Sequence, residues 1–165
     1  MLAILPMGCG YSTRSLLPSN IRTVYVEPFK NSVDFTADQE RYLYSPLMEV
    51  DIRNAIINRF LFDGTLKIGE LETADLVLKG ELVNYDKTVL RYTENDDVEE
   101  FRIHVTVNLT MWDSQKQEVF WQENGFTGEE EYFITGPKAI SDSAALELAV
   151  KDLARRVVER TIEHW

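Results

Sequence analysis

The residue with the most distinctive chemistry in this 165-residue chain is Cys9, the only cysteine present. Residues 1–8 before it are apolar or small and end in Gly8, which is typical of the end of a bacterial export signal. A cysteine directly after the small residue supplies a nucleophilic thiol at a new N-terminus, as attachment of acyl chains requires. We therefore predict that Cys9 is lipidated; the alternative is an ordinary free thiol near the N-terminus.

This interpretation divides the chain into three parts. Residues 1–8 are a signal-peptide remnant, residues 9–20 are a lipidated N-terminal tether, and residues 21–165 form a single domain. A length of about 145 residues suits one domain with its own hydrophobic core. No later segment approaches the ~20 consecutive apolar residues of a membrane-spanning helix, so we expect attachment only through the N-terminus.

The other chemistry-bearing residues argue against catalysis and against several classes of ligand. The two histidines, His104 and His164, lie in a polar strand pattern and at the C-terminal end, and no nucleophile-elbow or paired-histidine motif occurs. Residues 94–100 are rich in carboxylates but lack the glycine turn and ligand spacing of a calcium loop. The net charge of −11 disfavours binding to a nucleic-acid backbone or to an anionic lipid surface. We therefore expect no enzyme activity, no cofactor, no metal and no nucleic-acid partner.

The hydrophobic pattern indicates the strands that position these residues. Strands are predicted at residues 21–29, 66–68, 75–93, 102–112 and 118–127. The clearest alternation is in the fourth of these, where one face carries Ile103, Val105, Val107, Leu109 and Met111, and the other carries Arg102, His104, Thr106, Asn108 and Thr110. In the fifth strand, Val119 and Trp121 are expected on one face, with Phe120 and Phe126 on the other. The acidic residues 94–100 and 129–131 are expected at loop tips, the latter within a turn region at residues 129–138.

Two helices complete the predicted fold. The first begins at Ser45 and Pro46, which favour a helix start, and ends near residue 62 before Gly64. Its expected core-facing stripe is Leu47, Val50, Ile57, Phe60 and Leu61. The second begins at Ser141 or Asp142 and continues to the C-terminus. The prediction is an α+β two-layer sandwich, with a mainly antiparallel sheet of about four strands and two helices packed on one face.

Several segments, taken in order, resemble a known protein family. They are Cys9-Gly10-Tyr11, residues 24–31 (VYVEPFKN), 63–68 (DGTLKI), 74–82 (ADLVLKGEL), 107–113 (VNLTMWD) and 119–121 (VFW). In this order and spacing the chain is similar to the LptE-type lipopolysaccharide-assembly lipoproteins of the bacterial outer membrane. Proteins of that family also have a small sheet with two helices on one side, which agrees with the predicted fold.

The resemblance implies a function that the residues alone do not. It implies a lipoprotein anchored on the periplasmic side of the outer membrane, serving as plug or scaffold subunit of an LptD-type β-barrel translocon that inserts lipopolysaccharide into the outer leaflet. It also raises direct lipopolysaccharide contact, for which we single out the basic residues Lys87, Arg91 and Lys116, although no family motif maps onto them. The alternative function is a lipoprotein adaptor or activator of a cell-wall enzyme.

Overall fold

The computed structural model describes residues 17–33 and 46–163. Its elements, in chain order, are β1 (Thr23–Val26), β2 (Lys30–Asn31), α1 (Met48–Asp63), β3 (Lys67–Ile68), β4 (Leu76–Tyr92), β5 (Val98–Asp113), β6 (Glu118–Phe133) and α2 (Asp142–Ile162). Cys9, Ser45 and His164 lie outside the described residues. Within those two described ranges, no helix combines the length and the apolar character needed to cross a membrane.

The strands form one mixed sheet in the order β3-β1-β4-β5-β6, with β2 also beside β4. The three long strands β4, β5 and β6 form the predicted antiparallel meander. However, β1 runs parallel to both β3 and β4, and β2 runs parallel to β4. The predicted mainly antiparallel sheet of about four strands is therefore incomplete, because the described residues contribute six strands and give the sheet a parallel side. Parallel neighbours need a crossover connection, and the chain between β1 and β3, which includes α1, supplies it.

Both helices pack on one face of the sheet, as predicted. α2 lies over β5 and β6, and α1 packs beside α2 and contacts β1 and β3. The predicted alternation of β5 is confirmed, since its helix-facing row is fully buried: Ile103, Val105, Val107, Leu109 and Met111. This row forms the centre of the core between the two layers.

The boundaries of α1 are close to the prediction, but its buried face is not the predicted one. Gly64 ends the helix in the left-handed conformation (φ 77°), and its N–H donates to the Phe60 carbonyl oxygen at 3.0 Å. The buried side chains recur every four residues: Met48, Ile52, Ile56 and Phe60. Of the predicted stripe only Phe60 is fully buried, whereas Leu47, Val50 and Leu61 are exposed. α1 carries two adjoining apolar stripes, and packing against the sheet and α2 selects one of them.

β6 is longer than predicted, and irregular pairing changes which of its side chains share a face. An extra residue is accommodated opposite β5 near Gly125, whose φ of 71° favours glycine, and a second irregularity lies near Phe120. As a result Trp121 and Phe126 are both buried, and Val119 is 47% exposed. The predicted grouping of these side chains was wrong, because each bulge reverses the alternation beyond it.

The two acidic runs also occupy different positions from those predicted. Residues 129–131 belong to β6 rather than to a loop tip, so the predicted turn region begins only after Phe133. Residues 93–97 do form the loop between β4 and β5, where the N–H of Thr93 donates to the Asp97 carbonyl oxygen at 2.7 Å. Residues 98–100 are already strand, and Glu100 is buried. A run of acidic residues can therefore continue a strand when basic side chains on neighbouring strands form ion pairs with the carboxylates.

α2 begins as predicted and approaches the sheet closely. The Ser141 hydroxyl oxygen accepts a hydrogen bond from the Ala144 N–H at 3.2 Å, which caps the helix. The helix crosses β6 at Gly128, where a Cβ atom would lie 2.5 Å from the Leu153 Cβ and 2.6 Å from the Ala149 carbonyl oxygen. Close packing of α2 on the sheet therefore depends on the missing side chain at Gly128.

Candidate functional site

The face of the sheet that points away from the helices is polar. We call it the polar sheet face; its central row is formed by the β5 side chains predicted to point this way: Arg102, His104, Thr106, Asn108 and Thr110. All five are partly exposed, in contrast to the buried residues that alternate with them. The structure thus confirms the predicted polar row and places it between β4 and β6.

Side-chain contacts between polar and charged groups join the three long strands across this face. His104 Nδ1 lies 3.0 Å from Asp86 Oδ2 on β4, and its Nε2 lies 3.5 Å from Glu129 Oε2 on β6. Arg102 Nε donates to Glu131 Oε1 at 3.0 Å, and this contact raises the pKa of Arg102 above its usual value. His104 is thus engaged by carboxylates on both sides rather than only by solvent.

Neutral polar groups continue the same cross-strand pattern. The hydroxyl oxygens of Thr106 and Thr127 are 3.0 Å apart, and Asn108 Oδ1 accepts a hydrogen bond from the Gly125 N–H at 3.0 Å. In the described part of the chain, no three His, Cys, Asp or Glu residues are grouped so that they could hold a metal ion. The polar sheet face is therefore suited to contact with another hydrophilic surface.

Lys87, one of the predicted lipopolysaccharide contacts, lies on the opposite side of the sheet. It is paired with the buried Ile103, so its side chain points towards the helices. Lys87 Nζ lies 2.7 Å from Asp142 Oδ2 at the start of α2 and 3.8 Å from the centre of the Phe101 ring. Tyr132 donates its hydroxyl proton to Asp142 Oδ1 at 2.6 Å. The Lys87 side chain is only 15% exposed, so this cation supports the junction between sheet and helix.

Lys87, Tyr85, Phe101, Tyr132 and Asp142 form what we call the Lys87 cluster, in which burial, hydrogen bonds and charges shift the pKa values of the titratable groups. Burial alone would raise the pKa of Asp142, but the hydrogen bonds from Lys87 and Tyr132 outweigh burial and hold it below its usual value. Burial, followed by the hydrogen bond to Asp142 and its charge, raises the pKa of Tyr132. Burial and the nearby carboxylates of Asp142 and Asp86 raise the pKa of Tyr85 to about 12. At neutral pH the cluster therefore contains an ionised Asp142 and two neutral phenols.

The other two predicted lipopolysaccharide contacts are well exposed and far apart. Arg91 is paired in register with Glu100 and lies 3.3 Å from its carboxylate, whereas Lys116 is in the hairpin between β5 and β6. Lys87 is paired with Ile103, and the hairpin that contains Lys116 begins after Asp113. The ten residue steps of β5 from Ile103 to Asp113 span about 33 Å. The structure therefore does not bring Lys87, Arg91 and Lys116 together into one site. Their contact with lipopolysaccharide stays a prediction.

The sequence pattern gave no indication of the Lys87 cluster. Its members come from three strands and one helix cap, and Lys87 and Asp142 are 55 residues apart. The stacked rings of Phe101 and Tyr132, with centroids 6.1 Å apart, also come from neighbouring strands. The predicted helix start at Ser141 or Asp142 accounts for a carboxylate at this end of α2, but it did not indicate which cation that carboxylate would contact.

A groove of about 820 Å³ lies between α1 and α2. Its apolar lining includes Met48, Ala55, Phe62, Leu146 and Val150. Its charged lining consists of two acidic and two basic side chains: Asp51, Glu147, Arg59 and Lys151. Since these charges balance and Lys151 is paired with Glu147 at 2.7 Å, the groove does not favour a ligand of either charge.

The fold defined by this sheet and helix pair is similar to several solved bacterial structures. One is the hypothetical protein CT253 from Chlamydia trachomatis, with a TM-score of 0.60, 15% identity, and coverage of 86% of this chain and 95% of that chain. A second is protein XCC0632 from Xanthomonas campestris, with a TM-score of 0.58, 12% identity, and coverage of 88% and 86%. A third is PelC from Paraburkholderia phytofirmans, with a TM-score of 0.51, 16% identity, and coverage of 84% and 87%. At these identities the likeness concerns the fold.

The family is identified by the sequence itself. The family model LptE, described as lipopolysaccharide-assembly, matches residues 21–161, which include every strand and nearly all of both helices. A comparison with curated protein sequences gives no significant match. The chain belongs to the LptE family of lipopolysaccharide-assembly proteins, and the resemblance drawn from its motifs is confirmed.

Proposed function

We propose that this protein is an outer-membrane lipoprotein that acts as plug or scaffold subunit of an LptD-type β-barrel translocon for lipopolysaccharide. In this proposal, acyl chains on Cys9 hold it on the periplasmic side of the membrane. The observation that carries the proposal is the LptE family match over residues 21–161. The role is structural, and the protein carries out no reaction of its own.

The polar sheet face supports a plug function on physical grounds. The lumen of a large outer-membrane barrel is polar, so a protein that fills it needs a hydrophilic surface and a stable fold of its own. The contacts of His104 with Asp86 and Glu129, and of Thr106 with Thr127, join neighbouring strands before any partner arrives. Because these side chains are already ordered, docking loses less conformational entropy than it would with mobile side chains.

Direct contact with lipopolysaccharide is a secondary part of the proposal. The chain has 28 acidic and 17 basic residues, and phosphate groups are best held by Arg and Lys. Lys87 is largely engaged by Asp142, whereas Arg91 and Lys116 are exposed. We therefore expect any phosphate contact to involve Arg91 and Lys116 before Lys87.

The proposal is tested by purifying an affinity-tagged version from the outer membranes of its native host. A large β-barrel protein should co-purify in fixed ratio, and depletion of this protein should lower the amount of assembled barrel. Recovery of a cell-wall enzyme with no barrel protein would refute the proposal and support the adaptor alternative.

A matched variant separates assembly from lipid contact. The double variant Arg91→Gln/Lys116→Gln should retain the barrel partner, because exposed charges at the rim of a large interface contribute little to affinity. Its binding to purified lipopolysaccharide should fall if these residues hold phosphate groups. A folded double variant that fails to assemble with the barrel would show that these two side chains are needed to bind the barrel.

A further inference from the structure

Within the part of the chain that the structure describes, the distal part of β4 is an open strand edge. On the side away from β5, β1 and β2 accompany β4 only as far as Leu82, whose carbonyl oxygen accepts a hydrogen bond from the Ser32 N–H at 2.9 Å. Along residues 83–92, no strand among residues 17–33 and 46–163 flanks β4 on that side. Alternate backbone N–H and C=O groups of an edge strand point outwards, so this stretch offers a row of donors and acceptors to another strand.

The β6 edge and the distal β4 edge differ in the number of charged side chains that disfavour pairing with another strand. The β6 edge carries many charged side chains, namely Glu118, Glu123, Glu129, Glu130 and Glu131, and charges on an edge disfavour strand addition. On the distal part of β4, Val89, Leu90 and Tyr92 are exposed, and the exposed cation Arg91 is paired with Glu100 at 3.3 Å. The Lys87 ammonium could disfavour pairing at this edge, but it points to Asp142 at the start of α2. The distal part of β4 is therefore the edge whose side chains permit pairing.

The side chains along this edge indicate what kind of strand would fit beside it. On the helix side, Tyr85 is paired with Val105 of the buried β5 row, and the apolar Val89 is paired with Phe101 of the stacked aromatic pair. On the polar sheet face, the Asp86 carboxylate lies at the edge and is 40% exposed. A strand beside β4 would therefore place apolar residues towards Val89 and a basic residue towards Asp86. A second copy of this chain fits poorly, because each copy carries a net charge of −11.

We propose that an extended segment of a partner protein, with apolar residues towards Val89 and a basic residue towards Asp86, adds to β4 as a new strand along residues 83–92. Strand addition of this kind derives affinity from main-chain hydrogen bonds and specificity from alternate side chains. The inference rests on the proposed function, in which the partner is the barrel protein of the translocon.

Amide hydrogen exchange tests the strand addition directly. The full-length lipoprotein is measured alone and in its complex with the barrel protein purified from the native host. We expect outward-facing amides in residues 83–92 to exchange at least about tenfold more slowly in the complex, because new main-chain hydrogen bonds must open before exchange. Amides near the start of β6, at residues 118–123, should show no comparable change.

A pair of matched variants tests the same edge by affinity. Val89 and Val119 are both exposed valines on long edge strands, at 37% and 47%. Val89→Lys should weaken the complex at least about tenfold, because lysine on an edge strand disfavours pairing, whereas Val119→Lys should leave it unchanged. Higher ionic strength should weaken the native complex more than the complex of the Asp86→Asn variant, which lacks the proposed charge contact.

The outcomes distinguish the inference from the proposed function. A barrel complex that forms without new protection at residues 83–92, or in which Val89→Lys and Val119→Lys act equally, overturns the inference alone. Slow exchange of these amides in the isolated protein also overturns it, because the edge would already be paired within the chain. Failure to form any barrel complex refutes the proposed function and the inference together.

Discussion

Replacing Lys87 with methionine tests whether this residue supports the fold. Methionine keeps an apolar stem of similar length, so the change removes the ammonium group with little loss of packing. The native ammonium lies 2.7 Å from Asp142 Oδ2 and 3.8 Å from the Phe101 ring centre. Losing a hydrogen bond to a charged group costs about 1.5–3 kcal/mol, and a cation–π contact contributes about 0.5–1 kcal/mol even at an exposed site. Because the Asp142 side chain is 54% exposed and water can replace part of the contact, we expect a net loss of about 2 kcal/mol.

Thermal unfolding followed by circular dichroism measures this loss. For a domain of this size, about 2 kcal/mol corresponds to a fall in Tm of about 4–8 °C. Lys116→Met is the matched control, because Lys116 and its partner Glu118 are both largely exposed and 3.7 Å apart, and it should change stability by less than about 0.5 kcal/mol. Equal Tm values for the two variants would refute a structural role for Lys87.

The acid dependence of stability provides a second measurement on the same variant. The folded-state pKa of Asp142 lies below its unfolded value of 3.8, so its contribution is fully present above that pH and is lost as pH falls through the folded pKa. Lys87→Met removes one of the hydrogen bonds that lower this pKa. The variant should therefore lose less stability than the native protein when the pH falls from about 4 to about 3 or lower. An unchanged acid profile would show that the Lys87 contact does not stabilise the ionised carboxylate.

Three further predictions concern packing, acid stability and the anchor. Gly128→Ala should lower stability by about 2–3 kcal/mol, since its Cβ would collide with the Leu153 Cβ at 2.5 Å, while Gly69→Ala, whose nearest contact is 3.4 Å, should be nearly neutral in the same unfolding assay. Asp75→Asn should reduce the loss of stability below about pH 4, because the backbone and side-chain hydrogen bonds to Asp75 lower its pKa despite burial; an acid titration of Tm measures this. Cys9→Ser should release the protein from membranes, and mass spectrometry of the native protein should find acyl chains on Cys9; an unmodified native chain beginning at residue 1 would contradict this.

Local patterns in the sequence were sufficient for the antiparallel core and for most helix boundaries. The alternation of β5 predicted both its buried row and the polar row centred on His104, because successive side chains of a strand point to opposite faces. Gly64 and Ser141 predicted helix ends correctly, because capping depends on backbone groups only a few residues away. The order and spacing of several short motifs also indicated the LptE family, which the match over residues 21–161 confirms.

Other features depend on contacts between distant parts of the chain. α1 carries two apolar stripes, and the sheet and α2 select the one that includes Ile52 and Ile56. The parallel side of the sheet arises because β1 inserts between β3 and β4, a choice that its four residues do not encode. Lys87 was predicted as a lipopolysaccharide contact, yet it lies near the start of α2 with Asp142, 55 residues later in the chain. Periodicity shows which residues share a face, but the partner of each face is set by long-range packing, and that packing determines whether a charged side chain is free to bind a ligand.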